Sequence, residues 1–238
     1  KQKQVAVTEQ SLEAEVKKKA EAEKYYNMKK VNDLALSYLK GLKEAYVEAG
    51  GEKVWENIES VAEGASESDI QALKKAYPEV PDSLIGLLLQ IDGTYFRKYG
   101  ENELLAYLLG SDVDDGEYPY YLLSAKEMVD NKAEIKDWYG DFVNREYEAE
   151  EVEVDERIIN DSQEMNWLHF SDCANNGGTS QLFIDFSPSE KGVKGQIVRF
   201  LHDPDELMVI ADSFDDYLKI IMDNGYPFIN EDCIEDCE

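Results

Sequence analysis

From Glu9 to Ala49 the chain has no proline and one glycine, Lys and Glu interleave, and apolar residues stand at Val31, Leu34, Tyr38, Leu42, Ala45 and Ala49. Spacings of three and four put these on one face, which predicts an amphipathic helix. The earlier stretch, Leu12 to Lys24, is rich in Ala, Glu and Lys with few large apolar residues, and reads as a projecting or frayed helix. Gly50-Gly51 ends the pattern, and Val54, Ile58 and Val61 predict a short further helix before Gly64.

Ser66 and Asp69, three apart, have the form of a capping box and open a helix to about Ala76. Pro78 breaks it, Pro81 suits a first helical turn, and Leu84, Leu87, Leu88 and Ile91 form a stripe that ends at Asp92-Gly93. Leu104–Leu109 and Tyr118–Leu123 read as a strand pair around the acidic turn Ser111–Glu117. Ser124 with Glu127 starts a helix carrying Met128, Ile135, Trp138 and Phe142, which runs into the acidic stretch Glu148–Glu156, a solvated loop or exposed strand.

From Trp167 the period changes to that of strands: Trp167–Cys173, Gln181–Phe186, Gln196–His202 and Leu207–Ala211. Their separators, Asn175-Asn176-Gly177-Gly178, Ser187-Pro188 through Gly195, and Asp203-Pro204-Asp205, accept turn geometry cheaply, so an antiparallel meander follows. A last helix starts at Ser213 with Phe214, Leu218 and Ile221. The class is α+β, a mainly antiparallel sheet packed against helices, with an N-terminal helical extension.

Charge divides the chain more sharply than pattern does. Residues 1–62 hold 11 Lys and 11 Asp or Glu, whereas residues 63–238 hold 13 Lys or Arg against 41 Asp or Glu, the whole of the net −28. This gives a neutral helical extension over 1–62, a domain over 63–230 and an acidic tail over 231–238. Such a field repels nucleic acid and anionic membranes, and it hastens encounter with a basic partner through attraction that salt weakens. No run nears the roughly 18 apolar residues of a membrane span. The chain begins with Lys1, so a leader removed earlier would leave no trace. Three cysteines do not make a disulfide framework and point to a reducing, cytoplasmic compartment.

Chemistry has few residues to draw on. His169 and His202 are the two histidines. Cys173, four residues after His169, would share its strand face at about 13 Å, too far for a thiolate pair. His202 reads as a turn residue. Cys233 and Cys237 have a spacing that suits a small disulfide or a metal, but no further Cys or His stands nearby, so an unpaired tail is the reading. If Gly116 were the sixth position of a calcium loop, Val113 and Leu122 would occupy ligand positions and lack the oxygens. The Asn175–Gly178 turn has no phosphate-loop lysine. No catalytic residue, metal or cofactor is expected.

The ordered set Pro81 to Gly93, Trp167-Leu168-His169-Phe170, Asn176-Gly177-Gly178, Phe183 to Pro188, Gly192, Gly195-Gln196-Ile197 and Ala211 to Phe214 with Tyr217-Leu218 resembles the SUKH superfamily of Smi/Knr-like proteins, over about residues 64–228. The resemblance implies a non-catalytic α+β binding domain. Bacterial members neutralise secreted polymorphic toxins, often nucleases, and fungal members serve as interaction hubs in cell-wall synthesis and signalling. Trp167, Gly177, Gly178, Asp185, Pro188, Gly195, Ser213 and Phe214 then read as architecture and not as a transferable active site.

The expected partner is a cognate toxin domain, basic in charge, with neither nucleic acid nor membrane. Two acidic segments with aromatics beside them could imitate a phosphate backbone for it: Asp112, Asp114, Asp115, Glu117, Tyr118 and Tyr120, and Tyr147, Glu148, Glu150, Glu151 and Glu153. Without a partner they are solvated loops. The alternative function is a regulatory or scaffold adaptor in which the helix over 31–49 docks another protein.

Overall fold

The computed structural model of the protein describes residues 14–19, 33–113, 116–174, 180–202 and 204–237. Residues 14–19 are helical and exposed; the rest of the segment from Leu12 to Lys24, Val31, Asp114, Asp115, Gly177 and Gly178 lie outside the described residues. Helix α1 (Asp33–Glu48) buries Ala35, Tyr38, Leu42 and Tyr46. It stops where Gly50 takes φ 86°, and Gly51 N donates to Tyr46 O at 2.7 Å. That left-handed turn satisfies a last-turn carbonyl and costs glycine little.

Helix α2 (Glu52–Val61) buries Val54, Trp55 and Ile58. Ser66 caps α3 (Glu67–Ala76) by accepting from Asp69 N, and Pro81 precedes α4 (Asp82–Leu88), as the sequence predicts. Buried Asp92 then accepts from Ala125 N at 2.8 Å and pairs with Arg97 at 2.7 Å, tying the end of the leucine-rich helix to the start of the next one.

Strands β1 (Arg97–Tyr99) and β2 (Asn102–Leu104) make a small hairpin. The main sheet holds β3 (Leu109–Val113), β4 (Gly116–Leu122), β5 (Val152–Val154), β6 (Trp167–Cys173), β7 (Ser180–Asp185), β8 (Gln196–Leu201) and β9 (Asp205–Ala211), in the order β3-β4-β6-β7-β8-β9-β5. All pairs are antiparallel except β5 with β9. Helices α5 (Ala125–Asp130) and α6 (Ile135–Val143) lie between β4 and β5, and α7 (Phe214–Asp223) and α8 (Glu231–Glu235) close the chain.

The sheet separates two cores, as strand alternation requires. Leu168, Phe170, Leu182 and Ile184 join helices α1–α4 and α7 on one side, while Trp167, Phe183, Val198 and Phe200 meet Ile135, Tyr139 and Val143 of α6 on the other. Trp167 and Phe183 rings lie 5.3 Å apart, and Phe214 meets Phe170 edge-on. At the end of β7, Asp185 accepts from Ser187 N at 2.8 Å and from Gln196 Nε2 at 3.0 Å. Gly195 carries φ 91° in the same turn, and a Cβ on Gly192 would stand 2.7 Å from Pro188 Cβ. Ser213 caps α7 by accepting from Asp216 N at 3.1 Å.

Two expectations are corrected. The strand pair is β3 with β4, and it continues through Asp112↔Glu117 to Val113↔Gly116, so most of the acidic "turn" is ladder. The helix expected to run from Ser124 through Phe142 breaks at the 3-10 turn Asn131–Ala133, where Asn131 is drawn to His169. On the near side of residue 62, Tyr38, Leu42 and Tyr46 of α1 sit in the same core cluster as Tyr226 and Ile234. Tyr38 and Tyr46 hydroxyls donate to the carbonyls of Leu108 and Tyr107 at 2.7 and 2.8 Å. Burial of each such side chain is worth roughly 2 kcal/mol, which a solvated extension would forgo. The acidic segment after residue 230 forms α8, with Cys233 and Ile234 in the core.

Candidate protein-binding surface

Helix α6 ends in an unusual way. Arg145 N donates to Phe142 O and Glu146 N to Asp141 O, each at 3.0 Å, the paired bonds of a Schellman turn. The left-handed position of that turn, ordinarily glycine, is Arg145 at φ 57°. Its side chain supplies the compensation: Nη1 donates to the carbonyls of Val143 and Ile159 at 2.5 and 2.8 Å, and Nη2 to Ile158 at 3.0 Å. The turn thereby ties the end of α6 to the segment that follows β5.

The chain leaves this turn as Glu146-Tyr147-Glu148-Ala149-Glu150-Glu151, with every side chain exposed. Tyr147 is 45% exposed, and its ring rests 5.2 Å from Phe142, which in turn stacks on Phe200 of β8. Glu151 N and Val152 N both donate to Glu148 O, closing a turn that delivers the chain into β5. Phe142, Arg145, Tyr147, Ala149, Val152 and Val154 enclose a crevice of about 170 Å³. Interleaved with these residues in the chain, Glu148, Glu150, Glu151 and Glu153 are exposed, and none has an ion pair among the described residues. β5 pairs only with β9 and is the last strand of the sheet.

The two acidic segments do not form one surface. β3 and β5 are opposite edges of the sheet, six strand spacings of about 4.8 Å apart. In the first segment Asp112 and Glu117 are ladder partners, and Asp114 and Asp115 are outside the described residues. Tyr118 is 37% exposed. Tyr120 is corrected: it is fully buried, its hydroxyl donating to Ser180 Oγ at 2.6 Å, because it faces inward beside Cys173 in the β4–β6 ladder. It is out of reach of any partner.

The residues suited to chemistry are placed elsewhere. A bulge between His169 and Ser171 shifts the β6–β7 register, so His169 and Asp172 share one face and Cys173 lies on the other, in the opposite core cluster. The expectation that His169 and Cys173 share a face is thus corrected, since a bulge residue reverses the alternation. His169 is 1% exposed, with Nε2 at 2.8 Å from Asp172 Oδ1 and Nδ1 at 3.0 Å from Asn131. Gln181 Nε2 also donates to Asp172 at 2.8 Å, and Tyr139 to Gln181 Oε1. Burial works to raise the Asp172 carboxyl, but the bonds from His169 and Gln181 outweigh it and hold it below the usual range. No bound group is needed to satisfy these atoms.

His202 is exposed and meets Asp205 in the turn before β9. Cys173, Cys233 and Cys237 form no disulfide among the described residues. Cys233 Sγ donates to Phe228 O at 3.0 Å, and burial pushes the Cys237 thiol up to about 12. Among the described residues no group of three His, Cys, Asp or Glu side chains could hold a metal ion, and no helix is long and apolar enough to cross a membrane.

Sequence reasoning marked Tyr147 and its glutamates but missed Phe142 as their floor and Arg145 as their anchor. The left-handed arginine carries no signal that a pattern of apolar and polar residues would expose. Compared with known proteins, residues 64–220 match the model of the SMI1/KNR4 family (SUKH-1). No curated protein matches the chain.

Proposed function

Since this chain belongs to the SMI1/KNR4 (SUKH-1) family, we propose that it is a non-catalytic binding module that captures and neutralises a cognate basic toxin domain through the acidic surface around Tyr147. SUKH proteins are commonly toxin-immunity proteins, and the family is generally non-catalytic. The observation that supports the reading is a half-exposed aromatic on a tied turn, followed in the chain by exposed glutamates that have no ion pair among the described residues.

Four exposed carboxylates within six residues of chain present negative charge that a basic partner would complement. Tyr147 offers a face for an arginine or lysine, worth about 0.5–2 kcal/mol as a cation–π contact. The carboxylates steer a basic domain over a distance that shrinks to about 8 Å at physiological salt. A nuclease that binds phosphate would meet here a surface of similar charge. The reading places the protein in the cytoplasm, where its thiols stay reduced.

The experiment is to co-purify the full chain with the product of the gene that adjoins its own, and to assay that product's toxicity with and without it. A complex at low salt that weakens as salt rises, together with loss of toxicity, is the expected result. Full toxicity with no complex at low salt would overturn the proposal.

A further inference from the structure

Away from the acidic surface, α1 and α2 form a groove. Besides its core face, α1 presents a second stripe of Leu36, Leu39, Lys40 and Lys43, at spacings of three and four. Opposite it stand Trp55, Ile58, Glu59 and Ala62, and Gln90 and Ile91 after α4 close one side. The space measures about 410 Å³, within the range of about 300–1,000 Å³ of concave binding sites. Leu36 is 41% exposed, an apolar side chain at the mouth. Most of this lining precedes residue 64, where the family match begins.

The charge of the rim is the reverse of the body's. Lys43 reaches across from α1 to Glu59 of α2 at 2.8 Å, and Glu59 is thereby neutralised and held ionised. Lys40 has no ion pair among the described residues. The local balance is therefore one positive charge, in a chain whose net charge is −28. At physiological salt, screening over about 8 Å leaves contacts at the rim to decide what binds, and not the distant field.

We propose that this groove receives an acidic amphipathic helix of a second protein, its apolar side chains seated between α1 and α2 and its carboxylates against Lys40 and Lys43. The parallel with helix-in-groove recognition is physical: two helices wall an apolar trough that anchors at i, i+3 or i+4 and i+7 can fill. The surface shares no residue with the one around Tyr147, so the two readings stand or fall separately.

The test uses the full chain and two synthetic helical peptides of about four turns. Both carry Leu at i, i+3, i+4 and i+7; one has Glu beside the apolar stripe, the other Lys at the same positions. Affinities are measured by calorimetry at physiological salt. The Glu peptide should bind, the Lys peptide about tenfold more weakly or worse, and Leu36→Asp and Lys40→Glu should each weaken the Glu peptide by about tenfold, the loss expected of an anchor contact. Tyr147→Ala should leave it unchanged.

Leu36 and Lys40 are both exposed, and circular dichroism checks that each variant stays folded. Equal or tighter binding of the Lys peptide would mean that the global field governs, and the proposal fails. It also fails if neither peptide binds, or if sedimentation reveals self-association that Leu36→Asp abolishes, since the occupant would then be a second copy.

Discussion

Arg145 Nη1 donates to the carbonyl of Ile159 at 2.8 Å, and this bond joins the end of α6 to the far side of the strand β5 that its own turn feeds. The acidic loop between them is thus held at both ends.

Replacing Arg145 tests that arrangement. Arg145→Ala loses the guanidinium bonds and keeps a side chain in the left-handed region, and should cost about 2–4 kcal/mol in urea unfolding. Arg145→Gly loses the same bonds but relieves the backbone, and should be about 1 kcal/mol milder. Equal stability of Ala variant and parent would show that the arginine bonds do not hold the turn.

Gly41 lies in the middle of α1, where alanine ordinarily stabilises a helix by roughly 0.5–1 kcal/mol. Here a Cβ would stand 2.3 Å from the Tyr226 hydroxyl, which donates to Tyr38 O at 2.8 Å and is buried. Gly41→Ala should therefore destabilise by about 1–3 kcal/mol and lower the melting temperature of the whole domain in one transition. A raised melting temperature would mean that α1 is not packed on Tyr226.

Asp172 supplies a dependence on pH. Its carboxyl is depressed in the folded state below the usual 3.8, so its contribution to stability is present above that value and is lost as pH falls through the folded value. Asp172→Asn should be less stable than the parent by about 1–3 kcal/mol at neutral pH. The gap should narrow in acid below pH 3.8. Unfolding in urea at several pH values reads both arms; a gap that widens in acid would contradict the assignment.

The meander was legible because β6 to β9 are apolar-rich runs of six or seven residues separated by Gly, Asn and Pro, and the caps at Ser66, Ser124 and Ser213 were legible because three-residue spacing writes them out. β5 was legible only as one of two readings of Glu148–Glu156, a loop or an exposed strand, because Val152-Glu153-Val154 is too short to show a period and its parallel partner begins at Asp205, far along the chain. The bulge beyond His169 leaves no compositional mark, yet it decides which side Asp172 and Cys173 face. The neutral charge of 1–62 gave no sign of the bonds from the Tyr38 and Tyr46 hydroxyls to the carbonyls of Leu108 and Tyr107. Of the proposed surface, the exposure of Tyr147 and its glutamates follows from their polar run; that Tyr120 is internal required the β4–β6 ladder.

The most direct measurement is the affinity of the adjoining gene's product for the chain in which Glu148, Glu150, Glu151 and Glu153 are all changed to Gln, at low and at physiological salt. All four are exposed, so the fold should be unaffected. The account predicts an association rate slowed by about tenfold or more at low salt and a flattened salt dependence, with weaker protection against the toxin. Parent-like rates, salt dependence and protection would contradict the claim that this surface receives the partner.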